Sequence, residues 1–157
     1  MTYNEWHEEH AKKHAAIMKK LEGLDEFDIV QYFLFENMVE KEPDFCELYA
    51  TKTKCHDIYE LNCYMCGCPH FRFYQKPPLD DIVELHSVCA ISSKRGKRTI
   101  REGNQVHQDC SKCSIPHGED YIFSNFDHDW KTMMDKVKNY AFIAYPVPTF
   151  YLIAYPE

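Results

Sequence analysis

Eight cysteines in a chain of 157 residues constrain this protein more than any other feature, because of where they stand. Two segments carry the spacing C-x2-C. One is Cys63-Tyr-Met-Cys66, extended by Gly67-Cys68-Pro69-His70; the other is Cys110-Ser-Lys-Cys113, followed by Ser-Ile-Pro116-His117. Two thiolates at that spacing converge on one ion from a tight turn. Two such turns supply the four soft ligands of a tetrahedral site, with metal–sulfur bonds near ~2.3 Å for zinc. Gly67 permits a sharp chain reversal after Cys66. Cys46, Cys55, His56, Cys68, Cys89 and His117 are further candidate ligands, more than one mononuclear site needs. Either two metal sites or one cluster with spare thiols follows. Cys55 and His56 are adjacent, so both bind one ion only through a bent backbone; otherwise His56 hydrogen-bonds behind a ligand. Cys46 and Cys89, taken singly, fit the role of small buried hydrophobes equally well. The four cysteines of the C-x2-C turns do not.

The compartment matters to this reading. The N-terminal run MTYNEWHEEH lacks the apolar core of a secretory signal, and no run approaches the ~18 apolar residues of a membrane span. A cytoplasmic, reducing location is expected, where clustered cysteines read as metal ligands and not as disulfides.

The rest of the chain reads as a single α+β domain over 1–157. A helical N-terminal part (1–43) and a C-terminal helix with strands (124–157) are expected around an irregular cysteine-rich centre (44–123). A first helix is predicted over 2–22, with Thr2 and Glu5 as a capping box and Trp6, Ala11, Ala15, Met18 and Leu21 as its apolar face. A second is predicted over 25–41, capped by Asp25 and stopped by Pro43, with Phe27, Val30, Phe33, Leu34, Met38 and Val39 turned inward. From 44 to 120 periodicity fails. Ile82–Ile91 fits strand or helix, and Tyr121–Phe126 reads as extended. Asp127 or Asp129 caps a later helix carrying Trp130, Met133, Met134 and Val137, followed by strands at Tyr140–Tyr145 and Phe150–Tyr155. A centre without long periodic elements cannot offset its chain entropy by apolar burial alone, and metal coordination is the usual remedy in a reducing compartment.

The sequence Asn62-Cys63-x2-Cys66-x-Cys68-Pro69, followed by Asp109-Cys110-x2-Cys113-x2-Pro116-His117, resembles the cysteine-rich small domain family, over about residues 45–123. These are short, zinc-finger-like prokaryotic proteins without a settled biochemical role. An upstream cysteine and a Cys-His pair in that family match Cys46 and Cys55-His56, and a further cysteine matches Cys89. The resemblance implies that all eight cysteines, with His56 and His117, belong to the metal-binding constellation. This chain departs from the pattern in a longer Cys46–Cys55 spacer, and in Ala90 and Ile91 where glycines are expected after Cys89.

Zn2+ at about two sites is the expected cofactor, because the histidines favour it. A [4Fe-4S] cluster with an electron-transfer or redox role is the alternative, motivated by the all-cysteine sets and by Cys68-Pro69. A metalloenzyme with an open coordination position is a third reading. The leading expectation is a small structural-zinc protein serving as an accessory or interaction module with a protein partner still to be identified. His7, His10 and His14 share one face of the first helix and read as solvated, with divalent-ion binding as the alternative. The basic run Lys94, Arg95, Lys97, Arg98 and Arg101 reads as an exposed loop that offers an anionic ligand a contact. A net charge of −7 disfavours nucleic acid as a partner.

Overall fold

A computed structural model describes residues 3–74 and 82–134. Over those residues the architecture is mixed α+β, with helices at both ends and short strands between them. No helix among the described residues is long and apolar enough to cross a membrane.

Helix α1 spans Tyr3–Lys20, within the predicted bounds; the Thr2 cap lies outside the described residues. Of the predicted stripe, Leu21 is buried and Ala11 and Met18 pack against the core, but the deepest residues include others. His10, His14, Ile17 and then Leu21 are buried, while Ala15 is exposed. The histidines therefore form a core face and not a solvated one. The reason is that a neutral imidazole is a flat ring that packs like an aromatic. His10 stacks on Trp6 with centroids 4.9 Å apart and meets Phe45 and Trp130. His14 lies between Phe33 (4.9 Å) and Tyr64 (4.8 Å). Burial holds the pKa of His10 down to about 4 and that of His14 to about 3, so both rings are neutral near pH 7.

The predicted second helix is two. Helix α2, Glu26–Tyr32, is capped by Asp25, whose carboxylate accepts the Asp28 N–H at 2.9 Å. Helix α3 runs Phe35–Lys41. The break between them has a cause far along the chain. The Phe33 carbonyl accepts the Cys63 N–H and the Phe35 N–H donates to the Leu61 carbonyl, both at 2.8 Å, and Leu34 bridges Asn62 antiparallel. One helical turn is given up so that this backbone can pair with the segment that opens the first C-x2-C turn. Phe27, expected inside, is 60% exposed.

Beyond a 3-10 turn at Glu47–Thr51 come five strands: β1 Phe71–Phe73, β2 Glu84–Leu85, β3 Ser87–Cys89, β4 Lys97–Arg101 and β5 Gln105–Asp109. Within 82–91 the regular structure is therefore strand, in two short pieces. β1 pairs antiparallel with β3; β5 pairs parallel with β2 and antiparallel with β4. The two small sheets are stitched together by the Gln108 N–H donating to Ser87 Oγ (2.8 Å) and the Cys89 N–H donating to Gln108 Oε1 (3.2 Å). The basic run is only partly a loop, since Lys97, Arg98 and Arg101 lie on β4.

Helix α4, Glu119–Asn125, stands where an extended segment was predicted. Glu119 and Asp120 favour a helix N-terminus, while Ser124 Oγ and Asn125 Nδ2 donate to the carbonyls of Asp120 and Tyr121. A further helix begins at Trp130, capped by Asp129, whose carboxylate accepts the Thr132 N–H at 3.1 Å. Val137 and the strands predicted at 140–145 and 150–155 lie outside the described residues. The core joins Phe33, Tyr64, Leu61, Met65, Ile122, Trp130 and Met133 with α2 and α3.

Candidate metal centre

Asn62, fully buried, sets the first cysteine turn in place. Its Nδ2 donates to the Val30 carbonyl at 2.7 Å, and its Oδ1 accepts the Tyr64 N–H at 2.9 Å. Its own N–H donates to the His117 carbonyl. The turn then closes, with the Cys66 N–H donating to the Cys63 carbonyl at 3.2 Å. Trp130 Nε1 donates to the Cys66 carbonyl at 3.0 Å. Gly67 has φ +106, and a Cβ there would meet Trp6 and Trp130, both at 3.0 Å. Cys68 is also left-handed, at φ +52. These two residues reverse the chain between Cys66, which packs on the aromatic core, and Cys68, which leads into β1.

The second turn hangs on the sheet. β5 ends at Asp109, whose carboxylate accepts the Ser111 N–H, and the Cys113 N–H donates to the Cys110 carbonyl at 2.8 Å. Cys89 ends β3 opposite Phe71 of β1. The Ser93 N–H donates to Cys89 Sγ at 3.4 Å, and Ser93 Oγ lies 3.6 Å from Cys113 Sγ.

Between the turns lies a cavity of about 240 Å³. Six of the eight cysteines, all but Cys46 and Cys63, line it with His56, His70 and His117; no carboxylate does. Cys63 is buried in the aromatic core and Cys46 packs against it. None of the eight is in a disulfide.

The expected histidines do come together with a cysteine. Cys55 Sγ and one nitrogen each of His56 and His117 lie within 4.8 Å of one another, the one such group among the described residues. Carbonyl contacts set both tautomers, since a carbonyl only accepts. His117 Nδ1 donates to the Asn62 carbonyl at 2.8 Å, leaving the Nε2 lone pair 3.8 Å from Cys55 Sγ. His56 Nε2 donates to the Cys110 carbonyl at 3.0 Å, leaving Nδ1 3.1 Å from the same sulfur. Burial holds His117 at a pKa of about 4, so it is neutral near pH 7, as a metal-binding imidazole must be. A second-nitrogen contact to a carbonyl is also how ligating histidines are oriented.

No three of the eight cysteine sulfurs lie within 4.8 Å of one another, whether within one C-x2-C turn and its neighbours or across the two turns. The first turn is anchored to the aromatic core and the second to the end of β5, which separates their environments.

Burial pushes the thiols upward: Cys63 and Cys110 to about 12, Cys66 well up, and Cys55 and Cys68 in the same direction. Cys55 is exposed as a residue, but its sulfur reaches the buried His117. Such thiols ionise only when a cation offsets the charge. Two polar groups that the sequence did not single out also mark the centre. The Tyr49 hydroxyl is buried beside Cys63 without hydrogen-bond geometry to it or to any other group. His70, in the Cys68-Pro69-His70 run, contacts the Tyr121 hydroxyl at 2.5 Å through Nε2, while its buried Nδ1 has no partner.

Comparison of the chain with protein-family models, curated proteins and solved structures returned no match.

Proposed function

We propose that this protein binds zinc through its cysteine-rich centre, at about two structural sites, and serves as an accessory or interaction module. One observation carries the reading: six cysteines and three histidines converge on one cavity that no carboxylate lines. Calcium and magnesium require oxygen ligands, so this wall does not suit them. Sulfur with imidazole suits zinc. The residues fit an ion in a second respect, since the Tyr49 hydroxyl lacks an acceptor that a neighbouring thiolate supplies. Cys55, Cys66, Cys68, Cys89, Cys110 and Cys113, with Cys46 and Cys63 beside them, are the residues that hold it. Zinc bound there cross-links chain segments that are far apart in sequence. The metal thereby fixes the surface that a partner meets.

The test is anaerobic purification of the full chain in reducing buffer, followed by elemental analysis and an absorption spectrum. A colourless protein with about two zinc ions per chain is expected. Brown protein containing iron and sulfide would replace zinc with a cluster. Protein that stays folded with no metal at all would overturn the reading.

A further inference from the structure

We propose that Cys55, His56 and His117 hold one zinc ion between them and that its fourth position is filled from solvent by a small monoanion. This inference rests on the zinc-binding reading above, and it makes one of the ions exchangeable at its fourth ligand.

Distances between donor atoms carry the first half. Around a tetrahedral zinc ion, with bonds of ~2.3 Å to sulfur and about 2.0–2.1 Å to nitrogen, a sulfur and a nitrogen stand about 3.5 Å apart. His56 Nδ1 lies 3.1 Å from Cys55 Sγ, and His117 Nε2 lies 3.8 Å from it. All three donor atoms lie within 4.8 Å of one another. The chain bends at Cys55 and His56, which is the condition for adjacent residues to reach one ion. The Ile58 N–H donates to the His56 carbonyl at 3.0 Å and holds that bend.

Both rings are fixed with a free nitrogen toward the sulfur. Asn62 holds His117 at two points. Its N–H donates to the His117 carbonyl at 3.2 Å, and its carbonyl accepts from His117 Nδ1 at 2.8 Å. His117 ends a 3-10 turn that Pro116 stiffens. His56 donates through Nε2 to the Cys110 carbonyl at 3.0 Å. The two ring centroids are 4.6 Å apart. One ring thus hangs on the residue before the first C-x2-C turn, and the other on the first residue of the second. An ion held here ties the two turns together through histidine.

The fourth position follows from what does not reach it. Among the described residues no fourth Cys, His, Asp or Glu donor joins this group within 4.8 Å. No carboxylate lines the adjoining cavity. Cys55 is exposed, so solvent has access to the ion. Zinc with three protein ligands keeps a position for an exchangeable ligand, whereas structural sites are closed by four. Charge selects what enters. Zinc with one thiolate and two neutral imidazoles carries about +1, whereas four thiolates would leave it at about −2. A monoanion neutralises this ion. Arg95 adds to the preference: it donates to Ser114 Oγ at 3.3 Å, and the Ser114 carbonyl accepts the His117 N–H at 3.0 Å, which places a cation one turn away. As zinc binds, the Cys55 thiol proton passes to solvent, and the entering anion displaces a bound water.

The site is tested on the unaltered full chain, loaded with 113Cd2+ in buffer free of halide and thiol, with a phosphine as reductant. Cadmium–proton correlation NMR is the readout, and thiocyanate is the probe anion. One cadmium signal should correlate with the β-protons of Cys55 and with ring protons of both His56 and His117, and with no other cysteine. Thiocyanate should shift that signal saturably and leave every other cadmium signal in place. A cadmium that couples Cys55 to a second cysteine, a Cys55 cadmium without both imidazoles, or one that thiocyanate does not move overturns the inference and leaves zinc binding intact. No bound cadmium, in a chain that also purifies without zinc, overturns the parent reading. Zinc bound per chain gives a second readout. Cys55→Ala, a change at an exposed residue, should lower it by one ion and remove the thiocyanate-sensitive signal; an unchanged count overturns the inference.

Discussion

The helical part and the sheet part of this protein are held together differently. Among the described residues, helices α1–α3, the 61–65 turn, α4 and the helix that begins at Trp130 supply nearly all of the large, fully buried side chains, among them Trp130, Tyr64, Phe33, Leu61 and Ile122. From the sheets only Val106 is among them. The sheet region instead exposes Ile82, Ile91 and Ile100, the last at 72%. Its strands are two to five residues long. Strands that short, without an apolar face to pack, are marginal in water. One part can therefore pay its ordering entropy by burial and the other cannot. Cys68, Cys89, Cys110 and Cys113 stand outside the aromatic core cluster. Cys63 belongs to the aromatic core, and Cys46 and Cys66 pack against it.

Substitutions should separate the two parts. Trp130→Ala removes a buried ring that packs on His7 and His10 and holds the Cys66 carbonyl. It should cost about 3–5 kcal/mol in urea denaturation. Acid should act next, again through the helical part. His10 and His14 have folded pKa values depressed below 6.5, to about 4 and about 3. Their contribution is complete above that unfolded value and is lost as pH falls toward the folded ones. Each pH unit in that window costs roughly 1.4 kcal/mol per histidine. His14→Leu should flatten the stability slope between about pH 6 and 4 relative to the parent chain, and an unchanged slope would refute the assignment.

Asn62→Ala should cost about 1–3 kcal/mol, because it leaves the Tyr64 N–H without a partner and leaves the Val30 carbonyl with only the Phe33 N–H. The smallest effect belongs to the sheet surface. Ile100→Thr should change stability by less than about 0.5 kcal/mol, since the side chain is already in water. A large loss there would mean that the sheet does rest on apolar packing.

The same contrast explains what could be read from the sequence. Local signals held: α1, the Asp25 cap and the Asp129 cap depend on neighbours a few residues apart. The break at Phe33–Leu34 was illegible because the groups that cause it, at 61–63, lie far along the chain. Helix α4 was missed because Tyr121, Ile122 and Phe123 suggest a strand, whereas the acidic first turn of Glu119 and Asp120 favours a helix. The histidine face was misjudged because a buried, neutral imidazole behaves as an aromatic. Of the centre, Cys55, His56 and His117 were legible as candidates, but their meeting was not, because His117 lies far along the chain from the other two. Which cysteines group together was not, since C-x2-C spacing specifies a turn but not the second pair that faces it.

The central claim is that metal supplies the cohesion of the sheet part. Backbone hydrogen exchange on the full chain, measured as purified and again after metal removal in reducing buffer, tests it most directly. Protection should disappear from 84–109 on stripping while α2 and the 61–65 turn keep theirs. Protection in 84–109 that survives verified metal removal would contradict it.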